Sequence, residues 1–165
     1  MKLFVAVQAF VDMGVEFIVI GGWSAVLHGS SYITNDLDVC FRRTRENCKR
    51  VAEALRPYHP RLRDVPDNLP FVWDAATLAN GSIFTLKTDL GMVDLLTEID
   101  GIGTFEDALK LSVKVPAFDR EVWTLDLPAL IRSKRAAGRP KDLQLIPELE
   151  GLLDATNDSS GSSGK

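Results

Sequence analysis

Apolar and polar positions alternate along the chain with two different periods. Apolar residues at helical spacing predict helices, which span residues 3–13, 23–28, 45–55, 127–137 and 140–153. Short apolar or strictly alternating runs predict strands at 16–20 and 36–41, and β-hairpins at 82–99 and 112–126. Four prolines fall within residues 57–72, so we expect an irregular connection there.

These elements predict one α/β domain (of the α+β type) with a mixed sheet and a C-terminal helical pair. Gly138 and Pro140 separate the two last helices, as the C-terminal cap of one and the first residue of the next. We expect residues 1–154 to form the domain and residues 155–165, rich in serine and glycine, to form a flexible tail. A chain of 165 residues is long enough to bury a core of its own.

Composition excludes some partners. The formal net charge is −4, so the chain offers no general attraction to nucleic acid or to an anionic membrane. No apolar run approaches the roughly 20 residues of a membrane span. The two cysteines, Cys40 and Cys48, lack the spacing of metal ligands, and they suit a reducing compartment. We therefore expect a cytoplasmic protein without a membrane partner.

Two carboxylates stand at the start of the strand "DLDVCF". Residues two apart in a strand face the same side, so Asp36 and Asp38 point together while Leu37 and Val39 point into the core. Two carboxylates at that distance repel each other unless a cation lies between them. Hard oxygen ligands favour Mg²⁺ or Mn²⁺, so the pair predicts a divalent metal site.

A glycine pair stands upstream, where a predicted strand ends and a helix begins. At such a corner, Gly21 and Gly22 expose backbone N–H groups that suit a phosphate. Alone, the pair is commonly a tight turn, and Asp-x-Asp is commonly a solvated strand end or a helix cap. In this order and at this spacing, they indicate phosphoryl transfer.

The stretch "IGGWSAVLHGSSYITNDLDV" resembles the signature of the nucleotidyltransferase superfamily typified by DNA polymerase β. That signature is a hydrophobic residue, Gly, Gly or Ser, about ten residues and Asp-x-Asp. The resemblance implies a third carboxylate on a later strand, and Asp94 in "LGMVDLLTEI" matches it. It implies that Asp36, Asp38 and Asp94 are the catalytic, metal-binding residues, and that nucleotide phosphates contact Gly21, Gly22 and Ser24.

The segment "LIRSKRAAGRPKDLQLI" resembles part of the small AbiEii-type nucleotidyltransferases, which occur as toxins of toxin–antitoxin and abortive-infection systems. A Lys, an Arg and a following Asp recur there, matching Lys134, Arg139 and Asp142. The resemblance implies that Lys134 and Arg139 bind the nucleotide. The alternatives are a Lys134 side chain that reaches solvent along its stem, and an Asp142 that only caps the last helix.

Together these features predict a metal-dependent nucleotidyltransferase that moves a nucleoside monophosphate from a nucleoside triphosphate to an acceptor. The acceptor stays open between tRNA or another RNA, a protein and a small molecule such as an aminoglycoside, and an antitoxin is a possible protein partner. Many relatives carry Arg where this chain has Tyr32, and some carry an acid at Leu145. The alternative is therefore a nucleotide-binding module without activity.

Trp23, beside the glycine pair, is the candidate for stacking a base.

Overall fold

The computed structural model describes residues 2–161 as a mixed sheet with helices on both faces. Its strands are β1 (Phe17–Ile20), β2 (Asp36–Phe41), β3 (Arg61–Leu62), β4 (Ile83–Thr88), β5 (Gly91–Leu96), β6 (Glu98–Ile99), β7 (Gly103–Thr104), β8 (Ser112–Ala117) and β9 (Arg120–Leu125). Its helices are α1 (Leu3–Asp12), α2 (Gly21–Leu27), α3 (Arg45–Leu55), α4 (Ala75–Asn80), α5 (Phe105–Leu109), α6 (Leu127–Ala137) and α7 (Pro140–Gly161). None of the helices in these residues has the length and apolar character needed to cross a membrane.

Seven strands form the main sheet, in the order β3-β4-β5-β2-β1-β9-β8. The central pairs β2–β5 and β1–β9 are parallel, whereas β1–β2 and the hairpins β4–β5 and β8–β9 are antiparallel. Strands β6 and β7 form a small separate ladder. The predicted mixed sheet and C-terminal helical pair are confirmed.

Alternation along the central strands sends apolar side chains to two separate cores. On one face of the sheet, Val19, Leu37 and Val39 are buried with side chains of α1 and α3. On the other face, Ile18 and Leu125 are buried with side chains of α5, α6 and α7. Because both faces are covered, all four residues of the short central strand β1 are buried.

A buried asparagine ties the first helix–sheet layer together. Asn47 has no exposed surface, and its side chain accepts a hydrogen bond from the Glu16 backbone N–H at 2.7 Å. Its amide group donates to the backbone carbonyls of Glu16 at 3.0 Å and of Arg42 at 2.7 Å. One side chain therefore joins the start of α3 to the segments that precede β1 and follow β2.

The structure differs from the sequence prediction in its short elements. The proline-rich connection contains a short 3-10 helix (Arg56–Tyr58) and the two-residue strand β3, which pairs with the edge of β4. Helices α4 and α5 were not predicted. Helix α5 spans five residues and begins with a capping box in which Thr104 and Asp107 bind each other's backbone N–H groups. Elements this short carry too few residues to show a period.

The C-terminal helix is longer than predicted. Helix α7 runs from Pro140 to Gly161, so residues 155–161 of the predicted tail are helical. Residues 162–165 of that tail lie outside the described residues. The division of the chain at residue 154 stays a prediction.

We expect Asn47→Ala to lower the free energy of unfolding by about 2–4 kcal/mol, because the Glu16 N–H and the Arg42 carbonyl lose their side-chain partner and the Glu16 carbonyl keeps only its bond from the Arg42 N–H. Urea denaturation of the variant and of the wild type measures the difference. Asn80→Ala, at an exposed position on α4, is the matched control and should change stability by less than about 0.5 kcal/mol. Equal effects of the two substitutions would contradict the role given to Asn47.

Candidate active site

Strand register brings the three predicted carboxylates to one face of the sheet. Asp38 on β2 pairs with Asp94 on the parallel neighbour β5, and Asp36 pairs with Met92. Residues paired directly across a ladder point to the same face, and so do residues two apart on one strand. The structure therefore places Asp36, Asp38 and Asp94 on the same face of two neighbouring strands.

The first glycine of the pair lies against one of these carboxylates. Gly21 follows β1 directly, and Ile20, the last residue of β1, pairs with Asp38. A Cβ atom at Gly21 would collide with Oδ2 of Asp38, and the glycine has a φ of +65°. Only glycine satisfies both conditions, so the turn keeps its backbone beside the carboxylates.

The second glycine supports the loop that leads into β2. A Cβ atom at Gly22 would come within 2.8 Å of Tyr32 Cε1 and 2.9 Å of Thr34 Cβ. Gly22 is buried beneath these two side chains. Tyr32, at the position where many relatives carry Arg, thus packs on the glycine turn.

Ser24 holds helix α2 to the other half of the sheet. Its side chain has no exposed surface, and its Oγ lies 2.6 Å from Thr124 Oγ1. The Thr124 hydroxyl also donates to the Val19 carbonyl at 2.8 Å. In this state the Ser24 hydroxyl faces β9, and a nucleotide contact by Ser24 stays a prediction.

Trp23 also packs within the protein. Its ring lies edge-on to Phe118, with 5.3 Å between the centroids, and its buried indole Nε1 has no hydrogen-bond partner among the described residues. The Trp23 ring thus already contacts Phe118, and its role in stacking a base stays a prediction.

Crowding of the carboxylates changes their protonation. Burial raises the pKa of Asp38 to about 7, and the nearby carboxylates of Asp94 and Asp36 add to the shift. Burial also raises the pKa of Asp94, although the Arg63 guanidinium opposes that shift. The buried site therefore favours the protonated form of Asp38 and Asp94.

Arg63 is the site residue that the sequence analysis missed. Its Nη2 donates to Asp94 Oδ1, and its Nη1 lies 3.8 Å from Asp36 Oδ2. It follows β3 in the proline-rich connection, where the alternation of "RLR" around Leu62 was the one available signal of a strand. Two residues are too few for such a pattern to be distinctive.

The predicted basic residues converge on a buried acid. Asp142 has no exposed surface and accepts hydrogen bonds from Lys134 Nζ at 3.0 Å and from Arg139 Nε at 2.7 Å. Burial alone would raise the pKa of Asp142, but these hydrogen bonds outweigh it and lower the pKa. Lys134 is 8% exposed, so the alternative of a lysine reaching solvent is wrong. The alternative that Asp142 only caps the last helix is also wrong, because two side chains occupy its carboxylate.

One cavity joins the carboxylates to the basic residues. It has a volume of about 160 Å³ and is lined by residues that include Gly21, Asp38, Asp94, Asp100, Lys134 and Arg139. Leu145, where some relatives carry an acid, is instead buried in the core beneath α7. The carboxylates Asp38 and Asp94 and the basic residues Lys134 and Arg139, which were predicted from separate motifs, therefore line the same cavity.

The donor set suits a divalent metal ion, but its members are not gathered around one position. Three carboxylates on one face offer hard oxygen ligands. Burial and the neighbouring carboxylates raise the pKa values of Asp38 and Asp94, which shows that positive charge is scarce around these two groups. Within residues 2–161, no group of three or more His, Cys, Asp or Glu side chains is arranged so that it could hold a metal ion. Arg63 engages Asp36 and Asp94 instead.

Solved structures of other proteins share the fold of this chain. Neither a protein-family model nor a curated protein sequence matches the chain. The lincosamide antibiotic adenylyltransferase LnuA, solved with lincomycin bound, superposes with a TM-score of 0.60 over 91% of this chain and 95% of its own, at 19% identity. The chain has a nucleotidyltransferase fold.

Two other solved structures share this fold. ANT(2")-Ia, in complex with adenylyl-2"-tobramycin, superposes with a TM-score of 0.55 at 15% identity, over 96% of both chains. A candidate nucleotidyltransferase from Thermotoga maritima superposes with the same TM-score and identity, over 94% of this chain and 91% of its own. The predicted nucleotidyltransferase core is thus confirmed, whereas the AbiEii resemblance stays a prediction.

The raised pKa of Asp38 predicts a pH-dependent stability in the absence of metal. The folded chain holds this proton up to a pH of about 7, whereas the unfolded chain loses it near the ordinary value of 3.8. The stabilisation is thus complete at low pH and is lost as the pH rises through about 7. Asp38→Asn should remove this loss and make the protein more stable than the wild type at pH 8 by roughly 1–3 kcal/mol.

Urea denaturation in EDTA between pH 5 and pH 8 measures this effect. Asp154→Asn, at an exposed position on α7, removes one carboxylate elsewhere and should keep the wild-type slope. An unchanged slope in Asp38→Asn would show that burial and the neighbouring carboxylates do not raise the pKa of Asp38 in solution.

Proposed function

We propose that this chain is a metal-dependent nucleotidyltransferase that transfers a nucleoside monophosphate from a nucleoside triphosphate to a hydroxyl group of a small-molecule acceptor. One observation carries the proposal: the Asp38–Asp94 pair, Gly21 and Lys134 face a single cavity. Carboxylates for a metal, a backbone turn for phosphate and a buried cation for charge neutralisation are the parts that phosphoryl transfer needs.

Asp36, Asp38 and Asp94 would hold the metal. When bound, Mg²⁺ or Mn²⁺ neutralises charge on the triphosphate and makes the attacking hydroxyl more acidic. Asp94, directly opposite Asp38, would accept the proton of that hydroxyl. The acceptor oxygen then bonds to the α-phosphorus, the bond from the α-phosphorus to the bridging oxygen breaks, and pyrophosphate leaves.

The turn and the basic residues would hold the triphosphate. Backbone N–H groups at Gly21 and Gly22 start a helix, where an anion is favoured by the unpaired donors. Lys134 and Arg139 carry two positive charges against the single negative charge of Asp142, so the group keeps one net positive charge. That charge lies beside the carboxylates, where it would offset the developing charge of pyrophosphate.

The small-molecule acceptor is supported by the structural neighbours and by charge. LnuA was solved with lincomycin and ANT(2")-Ia with an adenylylated tobramycin. The net charge of −4 gives this chain no general attraction to RNA. Transfer to tRNA or another RNA, transfer to a protein with an antitoxin as partner, and nucleotide binding without transfer are the alternatives that the experiment separates.

The test is incubation of the purified protein with each α-labelled nucleoside triphosphate and Mg²⁺ or Mn²⁺. Separate reactions contain a panel of aminoglycosides and lincosamides, total RNA, or a cell lysate. We expect pyrophosphate release with label in a small molecule. Label in RNA or in a protein would show that the acceptor is not a small molecule. Nucleotide binding without release of pyrophosphate would show that the chain binds nucleotide but does not transfer it.

Asp94→Asn should reduce transfer by roughly a hundred- to a thousandfold while weakening nucleotide binding only modestly, because Asp36 and Asp38 remain. Single-turnover rates and nucleotide titrations separate the two quantities. Asp154→Asn serves again as the surface control. Equal losses of binding and of turnover would make Asp94 a residue for binding alone.

Lys134→Ala should raise the nucleotide Kd by roughly ten- to a hundredfold, because a charge-assisted hydrogen bond to phosphate contributes about 1.5–3 kcal/mol. Titration with a non-hydrolysable triphosphate and Mg²⁺, well below the melting temperature, measures the Kd. The burial of Lys134 against Asp142 also predicts a stability loss. Lys141→Ala, an exposed lysine on α7, should change neither quantity. If Lys134→Ala binds the nucleotide with the wild-type Kd, then Lys134 does not contact the nucleotide.

A further inference from the structure

A row of paired residues runs across four strands of the sheet and ends at an arginine. Asp38 on β2 pairs with Asp94 on β5, and Asp94 pairs with Thr85 on β4. The backbone N–H of Arg63 donates to the Thr85 carbonyl at 2.8 Å, which continues the pairing of β3 with β4. Arg63 is therefore held by its backbone three strands away from Asp38, with β4 and β5 between them, and its side chain has to cross β4 to reach Asp94.

The side chain of Arg63 makes its ion pairs with the carboxylates assigned to the metal. Its guanidinium donates to Asp94 and lies 3.8 Å from Asp36. The Arg63 and Asp94 side chains are each 22% exposed, so solvent screens the pair only in part. The two terminal nitrogens of the guanidinium thus contact carboxylates, whereas its buried Nε–H has no hydrogen-bond partner among the described residues.

A guanidinium and a divalent ion compete for the same oxygens. Without Arg63, three carboxylates would face one another with little positive charge between them, as the raised pKa values of Asp38 and Asp94 indicate. With Arg63 in place, two of the three are engaged. A metal ion that takes Asp36 and Asp94 as ligands has to displace the guanidinium from both.

We infer that Arg63 is a positioning residue that holds the empty carboxylates together and lowers the affinity of the site for metal alone. It substitutes for the missing cation when no metal is bound, and it releases Asp36 and Asp94 when one binds. The inference rests on the proposed function, because it assumes that these carboxylates are metal ligands. It assigns a role in that reaction to a residue outside both sequence motifs.

The first test measures Mn²⁺ binding to the nucleotide-free protein. The electron paramagnetic resonance signal reports how much Mn²⁺ stays free. Arg63→Ala should bind Mn²⁺ roughly ten- to a hundredfold more tightly than the wild type, because the competing charge-assisted bond is gone. Arg61→Ala removes the same charge from an exposed position on β3, two residues before Arg63, and is the matched control. It should bind Mn²⁺ within about threefold of the wild type, because it leaves the competing bond intact.

The second test is thermal stability with EDTA and with Mn²⁺. Arg63→Ala should melt below the wild type in EDTA and recover when Mn²⁺ is added, because the metal then supplies the missing charge. A purely structural arginine would leave a deficit of equal size in both conditions. The double variant Arg63→Ala with Asp94→Asn should recover stability in EDTA without metal, because the repulsion has been reduced. Arg63→Gln keeps most of the side-chain volume and replaces Arg63→Ala if that variant does not fold.

The outcomes distinguish this inference from the proposed function. If the wild type binds Mn²⁺ and Arg63→Ala binds it no more tightly, Arg63 does not compete with metal, whereas the proposed function stands. If neither protein binds Mn²⁺, even with a non-hydrolysable triphosphate present, the metal site is wrong and this inference is wrong with it. Tighter binding by the arginine variant, with the stability deficit removed by metal, supports it.

Discussion

Repulsion among three carboxylates is the constraint on which this structure depends. Parallel pairing of β2 and β5 sets Asp38 directly opposite Asp94, with Asp36 one step away on the same face. An arrangement that costs folding energy in the empty protein is retained only if its surroundings offset it. The surroundings do so in two ways: a proton held by Asp38 up to a pH of about 7, and the guanidinium of Arg63. The glycine turn and the basic residues Lys134 and Arg139 line the same cavity as Asp38 and Asp94, and the proposed function rests on that arrangement.

The sequence was most informative where one strand carries both structure and chemistry. Leu37 and Val39 are buried in the first core, so the alternation that predicted β2 also fixed the side on which Asp36 and Asp38 lie. Asp94 could be anticipated because a lone acid in an apolar strand needs a partner. The pairing of Asp94 with Asp38 itself followed from the family resemblance, since no local pattern specifies which strands become neighbours.

The sequence was least informative where a contact depends on several elements at once. The approach of Arg63 to Asp94 requires β3, β4 and β5 to lie side by side, and β3 is only two residues long. The burial of Asp142 requires the chain to fold back at Gly138, which has a φ of 67° and brings Lys134 over the first turn of α7. Local position alone suggested a helix cap. In the folded chain, Asp142 instead accepts hydrogen bonds from both Lys134 and Arg139.

The hydrogen bond between Ser24 and Thr124 has a consequence for how the chain acquires its site. Its two residues are 100 positions apart, and β1 and β9 pair in parallel across a similar separation. Contacts this distant in sequence form only after a large loop has closed, which slows folding. During synthesis, helix α2 leaves the ribosome long before the strand that anchors it. The hydrogen bond that joins α2 to β9 can therefore form only after residue 124 has been made, although the residues that pack on the glycine turn are already present.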